Sequence, residues 1–343
     1  MGHRLARRQA VAAGVGLALG LTVLVVWLLW PARPHALLVG VDDDMLKWTE
    51  QPLAVVHRQR ALGADAVRVW VPWRNERRPL GLRQVELARI EQAAQHTTVV
   101  LAVFGFARTT PTRPWAQRRY CTYARRVLAL VPHARALVVW NEANTPTYWR
   151  GSPADYEHLL ARCYDVLHRT GLTILDSTAS AHAPARFLRG VAQAYRRSGR
   201  TRPLVDAFGH NPYPRTPGEP PDARHPRGFL GEGDYERLRA ALRPFGEPDV
   251  WYLEDGFQST VPARLRHRYD GRETVEAVPP PVQGAQLRDA IALAACQPQV
   301  RAFFNFELMD ETQLAGWQSG LLWRDAHAKP AAAAFAAAPR RCP

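Results

Sequence analysis

Two glutamates stand where buried apolar runs end, and carboxylates in such positions can act as an acid and a nucleophile. The run Ala136–Trp140 is followed by Asn141 and Glu142, and the run Val250–Leu253 is followed by Glu254. Glycosidic cleavage needs one carboxylic acid to protonate the leaving oxygen and one carboxylate beside the anomeric carbon. A polar pair after an apolar run is ordinary by itself. The two glutamates form a catalytic pair only if both runs are strands of one scaffold.

The rest of the chain predicts that scaffold through alternating strands and helices. Short apolar runs rich in Val, Leu and Phe indicate buried strands, and apolar residues at three- and four-residue spacing indicate the helices between them. The predicted strands are Leu37–Val41, Ala66–Val71, Thr97–Phe104, Ala136–Asn141, Leu172–Ser177, Val205–His210, Asp249–Glu254 and Val300–Phe306. The predicted helices span about residues 50–63, 83–95, 114–131, 153–170, 184–198, 233–243, 282–297 and 328–338.

This alternation favours an α/β fold with a single (β/α)8 TIM barrel in residues 34–343. A dinucleotide-binding fold would need a glycine-rich turn after the first strand, but Asp42, Asp43 and Asp44 stand there. Three acidic residues could bind a cation, although acidic residues in such a turn are ordinary. Active sites of TIM barrels form at the carboxyl ends of the strands. Both glutamates are therefore expected at the same end of the barrel.

Three segments resemble the clan A retaining glycoside hydrolases, the superfamily of barrel cellulases, mannanases, β-xylosidases and β-glucosidases. They are Trp140-Asn141-Glu142 at the fourth strand, His210-Asn211-Pro212-Tyr213 at the sixth, and Trp251–Gly256 at the seventh. The resemblance implies that Glu142 is the acid/base and Glu254 the nucleophile of a double displacement. It implies neither a cofactor nor a metal.

Four further residues have roles that the resemblance implies. Asn141 would bind the sugar 2-hydroxyl, since a carboxamide both donates and accepts hydrogen bonds. Tyr213 would hold the nucleophile, with His210 lining the site, unless His210 is a core histidine satisfied by other groups. Arg68 lies inside an apolar strand and needs a partner. The nucleophile Glu254 is one candidate partner, and a structural salt bridge elsewhere is the alternative.

The chain departs from the family at the eighth strand. The family presents a tryptophan there as the floor of the sugar site, whereas this strand reads Phe303-Phe304-Asn305-Phe306-Glu307. We expect Trp317 in the following loop or Phe306 to take that place. Asp255 beside the proposed nucleophile is also unusual. These departures leave the sugar unidentified. Aromatic residues that suit sugar rings nevertheless follow several strands, namely Trp48, Trp70, Trp73, Phe106, Trp149, Trp317 and Trp323.

The charge of the chain does not indicate nucleic acid as a partner. The formal net charge is +14 over 343 residues, but Lys47 and Lys329 are the only lysines and the arginines are scattered without a long basic run. We interpret this as compositional bias rather than a binding surface. The expected partner is an oligo- or polysaccharide substrate.

The N-terminus predicts a membrane anchor. Arg4, Arg7 and Arg8 precede Ala10–Trp30, an uncharged stretch of the length that spans a bilayer as a helix. Residues 1–33 are therefore predicted to form a cytoplasmic tail and a transmembrane signal-anchor, with the barrel outside. A long, cleaved signal peptide is the alternative. In both cases the catalytic domain is extracytoplasmic.

Four cysteines fit an oxidising compartment and lack the close spacing of a zinc or redox site. Cys121 and Cys163 fall in consecutive predicted helices, and Cys296 and Cys342 fall in or beside the last two. Neighbouring outer helices can bring each pair within bonding distance. We predict the disulfides Cys121–Cys163 and Cys296–Cys342.

Together these features predict a membrane-anchored, extracytoplasmic retaining glycoside hydrolase that cleaves β-glycosidic bonds. A barrel that binds cell-surface glycan without cleaving it is an alternative, motivated by the departures at the eighth strand and at Asp255. A transglycosylase that remodels envelope polymers is a third interpretation, because it would use the same pair of carboxylates and differ only in its acceptor.

Overall fold

A computed structural model describes residues 36–74 and 83–342, and these contain one parallel β-sheet surrounded by helices. The strands are buried almost throughout, as expected when helices cover a parallel sheet. The strands are β1 Leu38–Asp42, β2 Ala66–Pro72, β3 Thr98–Phe104, β4 Ala136–Val139, β5 Thr173–Leu175, β6 Thr178–Ala179, β7 Ala207–Asn211, β8 Asp249–Asp255 and β9 Val300–Phe306.

The sheet closes into a barrel. Strand β1 pairs with both β2 and β9, and the order continues on either side to β5 and to β6. Leu175 of β5 pairs with Ala207 of β7, which closes the ring. Strands β5 and β6 are two pieces of the fifth barrel strand, so the barrel has eight strands. The predicted (β/α)8 fold is confirmed.

Helices follow the strands on the outside of the barrel. Several begin with proline in the first turn, where its missing N–H costs nothing. The helix at Pro153 also has a capping box, in which Ser152 and Asp155 bond each other's backbone N–H. The α-helices are α1 Met45–Trp48, α2 Pro52–Ala61, α3 Arg83–Ala94, α4 Pro114–Leu130, α5 Pro153–Leu167, α6 Pro184–Ser198, α7 Tyr235–Leu242, α8 Pro280–Ala295 and α9 Pro330–Ala337. Short 3-10 helices are Ala107–Thr109, Glu232–Asp234, Arg243–Phe245 and Ala263–Arg268.

The predicted boundaries differ from the observed ones mainly at the fourth and fifth strands. Strand β4 ends at Val139 rather than at Asn141, because Trp140 adopts a left-handed backbone conformation with φ of 71°. The fifth strand is interrupted at residues 176–177. Both departures occur at the end of the barrel that carries the two glutamates.

Both predicted disulfides are present. Cys121 of α4 bonds Cys163 of α5, and Cys296 after α8 bonds Cys342 after α9. Each bond joins neighbouring outer elements, as the helix order required. Two disulfides indicate folding in an oxidising compartment.

The predicted anchor in residues 1–33 lies outside the described residues and stays a prediction. Among the helices that the structure does describe, none has the length and apolar character needed to cross a bilayer.

Candidate active site

A large cavity opens at the carboxyl ends of the barrel strands. Its volume is about 1100 Å³, and both Glu142 and Glu254 line it. Glu142 follows β4 and Glu254 lies within β8, the seventh barrel strand. The barrel therefore brings the two glutamates into one cavity, as the sequence predicted.

Glu254 is held by a cation and a hydroxyl. Its Oε1 lies 2.7 Å from Nη1 of Arg68, and its Oε2 accepts a hydrogen bond of 3.3 Å from the hydroxyl of Tyr213. Glu254 is buried, and burying a charged group is costly unless it is paired and hydrogen-bonded, as it is here. Arg68 thus pairs with Glu254, the first of the two partners considered, and it also forms an ion pair elsewhere, with Asp42.

Arg68 also connects Glu254 to two other strand ends. Its guanidinium donates to Oδ2 of Asp42 and, over 2.9 Å, to Oδ1 of Asn141. Asn141 accepts a second hydrogen bond of 3.2 Å from the hydroxyl of Ser177. Because its oxygen is used in this way, the amide nitrogen of Asn141 is oriented as a donor. This arrangement suits the predicted contact with a sugar hydroxyl.

The backbone around Glu142 is strained. Glu142 has φ of 41° and follows Trp140 by two residues, and both adopt the left-handed region that side chains disfavour. The buried indole of Trp140 donates to the carbonyl of Tyr148 over 3.0 Å. The N–H of Thr145 bonds the Glu142 carbonyl over 2.8 Å. These contacts hold a conformation that is typical of functional sites.

Glu142 is the carboxyl group suited to carry a proton. Burial and the nearby Glu254 raise its pKa from 4.5 to about 7, while the amide of Asn211 opposes this by donating to Oε1 of Glu142 over 3.0 Å. A carboxyl group with a pKa near 7 can give a proton and take it back at neutral pH. The two glutamates thus have different environments, which is the pattern of an acid and a nucleophile.

Asn211→Ala tests the contact to Glu142. Without the amide donor the ionised form of Glu142 loses stabilisation, so its pKa rises. If the protonated form of Glu142 is the active one, kcat/KM falls as the pH rises through its pKa. We expect this alkaline limb to move up by roughly one pH unit in Asn211→Ala. The measurement is a pH–rate profile with a thermal melt.

Asn144→Ala is the matched control, since Asn144 follows the same strand but bonds the backbone of Ala179 and Ala181. Asn144→Ala should lower the melting temperature and leave the pH of the alkaline limb of kcat/KM unchanged. An unchanged limb in Asn211→Ala would contradict this account of the Glu142 proton.

Phe306 and Trp317, the two alternatives for the missing tryptophan, lie in one cluster with Tyr213. The ring centroid of Tyr213 is 4.9 Å from that of Trp317 and 6.2 Å from that of Phe306. All three side chains line the cavity. Both candidates for the sugar floor therefore line the cavity, and their contact with a sugar stays a prediction.

His210 requires a correction, because the structure places it in the core rather than on the cavity wall. The side chain is 1% exposed. Its Nε2 lies 2.9 Å from the Leu230 carbonyl and its Nδ1 lies 3.0 Å from the Thr178 hydroxyl. Burial lowers the pKa of His210 to about 4, so the ring is neutral at physiological pH. His210 is thus the satisfied core histidine that the sequence left open as an alternative.

Two residues of the site were not predicted. Asn211, next to His210, contacts Glu142, and Asp42 at the end of β1 pairs with Arg68. Alternation along a strand could have pointed to Asn211, because adjacent residues face opposite sides. No sequence pattern distinguished Asp42 from the two other acidic residues of its turn.

Comparison with solved structures finds the same fold in glycoside hydrolases. A family 39 glycoside hydrolase from Bacteroides cellulosilyticus WH2 has a TM-score of 0.65 and 17% identity, over 89% of this chain and 64% of that chain. GH5_18 from Streptomyces cattleya, in complex with GlcNAc, has a TM-score of 0.60 and 19% identity, over 89% of this chain and 80% of that chain. The GH53 catalytic domain of Ignisphaera aggregans has a TM-score of 0.58 and 15% identity, over 89% of this chain and 97% of that chain.

No protein-family model and no curated protein matches the chain. The chain spans less than two thirds of the family 39 protein, and the identities are low, so the likeness concerns the barrel. The fold that the clan A resemblance implied is therefore confirmed, and this chain has the (β/α)8 barrel found in glycoside hydrolases of several families.

Proposed function

We propose that this protein is a retaining glycoside hydrolase that cleaves O-glycosidic bonds by double displacement. The observation that carries the proposal is the different environment of two glutamates in one cavity. Glu254 is paired with Arg68 and Tyr213, whereas Glu142 forms no ion pair among the described residues and has a pKa raised to about 7 by burial and by Glu254, with Arg68 opposing only as a minor cause.

In the first step the Oε atom of Glu254 attacks the anomeric carbon. The bond between that carbon and the glycosidic oxygen breaks, and the proton of Glu142 passes to the departing oxygen. Arg68 lies 2.7 Å from Oε1 of Glu254 in the free enzyme and holds the carboxylate in position for the attack. The amide of Asn141 is oriented to donate to the 2-hydroxyl, a contact that strengthens in the transition state of such reactions.

In the second step Glu142, now ionised, removes a proton from water. The water oxygen attacks the anomeric carbon, and the ester bond to Glu254 breaks, which restores both carboxyl groups. Two inversions at one carbon give retention of configuration. A sugar hydroxyl in place of water would give transglycosylation at the same site.

The sugar and the location are part of the proposal. One similar structure is a complex with GlcNAc and another with Manb1-4GlcNAc, so we infer a carbohydrate substrate for this chain as well. We infer an extracytoplasmic location from the two disulfides and from the predicted anchor or signal sequence.

Labelling of the nucleophile tests the proposal. An activated 2-deoxy-2-fluoro glycoside slows the second step and should leave a covalent adduct on the peptide that contains Glu254, detected by mass spectrometry. A series of gluco-, manno- and xylo-configured reagents covers the open sugar identity. Labelling on another residue would refute the assignment. Glycan binding without an adduct and without turnover would favour the non-catalytic barrel.

A further inference from the structure

The two ends of the barrel differ in charge. The segments at the amino end, which precede the strands or follow the last helix, contain seven arginines and three carboxylates. These segments are residues 62–65, 95–97, 131–135, 168–172, 199–206, 243–248, 296–299 and 338–342. At the opposite end, eight carboxylates and three arginines line the catalytic cavity. The arginines are scattered along the sequence, which indicated compositional bias, but the fold places an excess of them at the end remote from the cavity.

Part of this positive charge forms one surface. Arg135 and Arg169 lie in the segments before the adjacent strands β4 and β5, and Nη2 of Arg169 donates to the carbonyl of Pro132 over 3.2 Å. Arg196 and Arg197 lie in the last turn of α6, which packs against α5, the helix that ends just before Arg169. We call Arg135, Arg169, Arg196 and Arg197 the basic face.

The guanidinium groups of the basic face are available to a partner. All four residues are exposed, and none of them forms an ion pair within the described part of the chain. The carboxylate of Asp165, near the end of α5, is already paired with Arg200 at 2.8 Å and with Arg202 at 2.7 Å. The chain therefore leaves the charge of the basic face uncompensated.

Helix dipoles do not account for the whole basic face. Arginines in the last turn of a helix complement the negative end of its dipole, and this applies to α6. Arg135 and Arg169 lie outside the helices. Two apolar residues at the same end of the barrel are also exposed, Leu130 of α4 by 39% and Val166 of α5 by 40%. Cationic groups beside exposed apolar ones are typical of surfaces that bind at a membrane interface.

The chain that precedes the described residues joins the barrel at this same end. Strand β1 begins at Leu38, and the N–H of Leu37 bonds the carbonyl of Arg340 over 2.8 Å. The next residue, Arg341, is exposed. The anchor predicted from the sequence ends at residue 33, so at most about 18 Å of extended chain separates it from β1. A bilayer that holds the anchor is therefore within reach of the amino end.

Anionic phospholipids match the basic face in charge and in geometry. An arginine guanidinium can donate two parallel hydrogen bonds to one phosphate, and its charge is permanent. Basic residues next to a membrane-spanning segment are attracted to an anionic bilayer within about one Debye length, which is roughly 8 Å at physiological salt. The carboxylates that line the cavity are repelled by the same surface, which favours a single orientation.

We propose that the basic face binds the anionic headgroups of the membrane that holds the predicted anchor, and that this contact turns the catalytic cavity away from the bilayer. The partner is a bilayer that contains anionic phospholipids. The cavity then opens toward glycans outside the membrane rather than toward sugars attached to its lipids. This inference is independent of the hydrolase chemistry.

Hydrogen–deuterium exchange of the full chain in lipid nanodiscs tests the basic face. Discs of phosphatidylcholine and discs that also contain phosphatidylglycerol both accept the predicted anchor, so its insertion cancels in the comparison. We expect the amides of residues 131–135 and 168–172 to exchange roughly fivefold more slowly in the anionic discs, because one arginine near an anionic surface contributes a factor of that order. Sodium chloride at about 1 M should remove the difference, since the Debye length falls to ~3 Å.

The triple variant Arg135→Glu, Arg169→Glu and Arg197→Glu should lose the protection in anionic discs. Its melting temperature should stay close to that of the wild type, because the three residues are exposed and form no ion pair among the residues described. Turnover in detergent should also equal that of the wild type, since the basic face lies at the end opposite to the cavity.

Arg227→Glu with Arg268→Glu and Arg272→Glu is the matched control. These arginines lie in exposed segments that follow strands, and they are not among the described residues that line the cavity. The control changes the net charge by the same amount as the triple variant. It should keep the protection of residues 131–135 and 168–172 in anionic discs.

Equal exchange in both kinds of disc, or an equal loss of protection in the triple variant and in the control, would overturn the proposal. Protection by soluble dextran sulfate but not by anionic discs would assign the basic face to an anionic polymer and overturn the membrane as partner. If residues 1–33 are cleaved, the mature chain should cosediment with phosphatidylglycerol vesicles and the triple variant should not; failure of the mature chain to do so would contradict the proposal. Labelling of Glu254 is unaffected by any of these results, so failure of the basic face and failure of the hydrolase function are distinguishable.

Discussion

Replacing Glu254 with glutamine is expected to abolish hydrolysis, with a loss of roughly 10⁴-fold or more in kcat, as for other nucleophiles that form covalent intermediates. Glutamine keeps the shape of the side chain but cannot attack the anomeric carbon. The hydrogen bond from Tyr213 has an acceptor in the amide oxygen, and Arg68 retains Asp42 as its ion pair, so the barrel should stay folded.

Asp255→Asn is the control for Glu254→Gln. Asp255 is the adjacent buried carboxyl group, its oxygen accepts the N–H of Gly256 over 2.8 Å, and burial raises its pKa to about 7. An amide can accept the same hydrogen bond, so most of the activity should remain. Comparable losses in both variants would mean that the strand end, rather than the nucleophile, is being disturbed.

Chemical rescue gives a result that a structural defect cannot produce. In Glu254→Gly an azide ion can enter the space of the missing carboxylate and attack from the same face. A single displacement then yields a glycosyl azide of inverted configuration, which NMR identifies. Recovery of activity without that product would argue against Glu254 as the nucleophile.

Glu142→Ala is expected to lose the most activity on substrates whose leaving group needs a proton, and the least on substrates whose leaving group departs as an anion. Substrates that need a proton on the departing oxygen should slow by about 10²–10⁴-fold. A dinitrophenyl glycoside should still form the glycosyl-enzyme, since its phenolate departs without a proton. Added azide should then accelerate the second step and give a glycosyl azide of retained configuration. Equal losses on both kinds of substrate would exclude the acid role.

The pH dependence of the wild type follows from the same carboxyl group. Burial and Glu254 raise the pKa of Glu142 to about 7. The acid must carry its proton when the reaction starts, so kcat/KM should fall as the pH rises through about 7. In Glu142→Ala that alkaline limb should disappear for the dinitrophenyl substrate.

Other buried carboxyl groups could produce a limb at the same pH. Burial also raises the pKa of Asp176 and of Asp255 to about 7. Asp176→Asn and Asp255→Asn separate these sources, since each amide keeps the backbone hydrogen bond that its carboxylate accepts. The limb should persist in both variants. Its loss in either would assign the titration to that residue.

The sequence by itself determined the barrel and its catalytic end. Alternating strand and helix patterns fix a (β/α)8 topology because parallel strands need crossover helices, and this topology brings all strand ends together. Glu142 and Glu254 could therefore be paired although 111 residues separate them in the printed sequence. The same outer-helix order predicted the Cys121–Cys163 and Cys296–Cys342 disulfides.

Only the tertiary structure decided which neighbouring side chains face the reacting centre. His210 and Asn211 are adjacent on β7, and the strand turns His210 toward Leu230 and Asn211 toward Glu142. The sequence shows that adjacent side chains of a strand face opposite sides, but at a strand end it does not show which of the two faces the cavity. A shift of one residue exchanges the two faces. The partners of Arg68, namely Asp42, Asn141 and Glu254, lie at the ends of three other strands. Such contacts between distant segments leave no local signal in the chain.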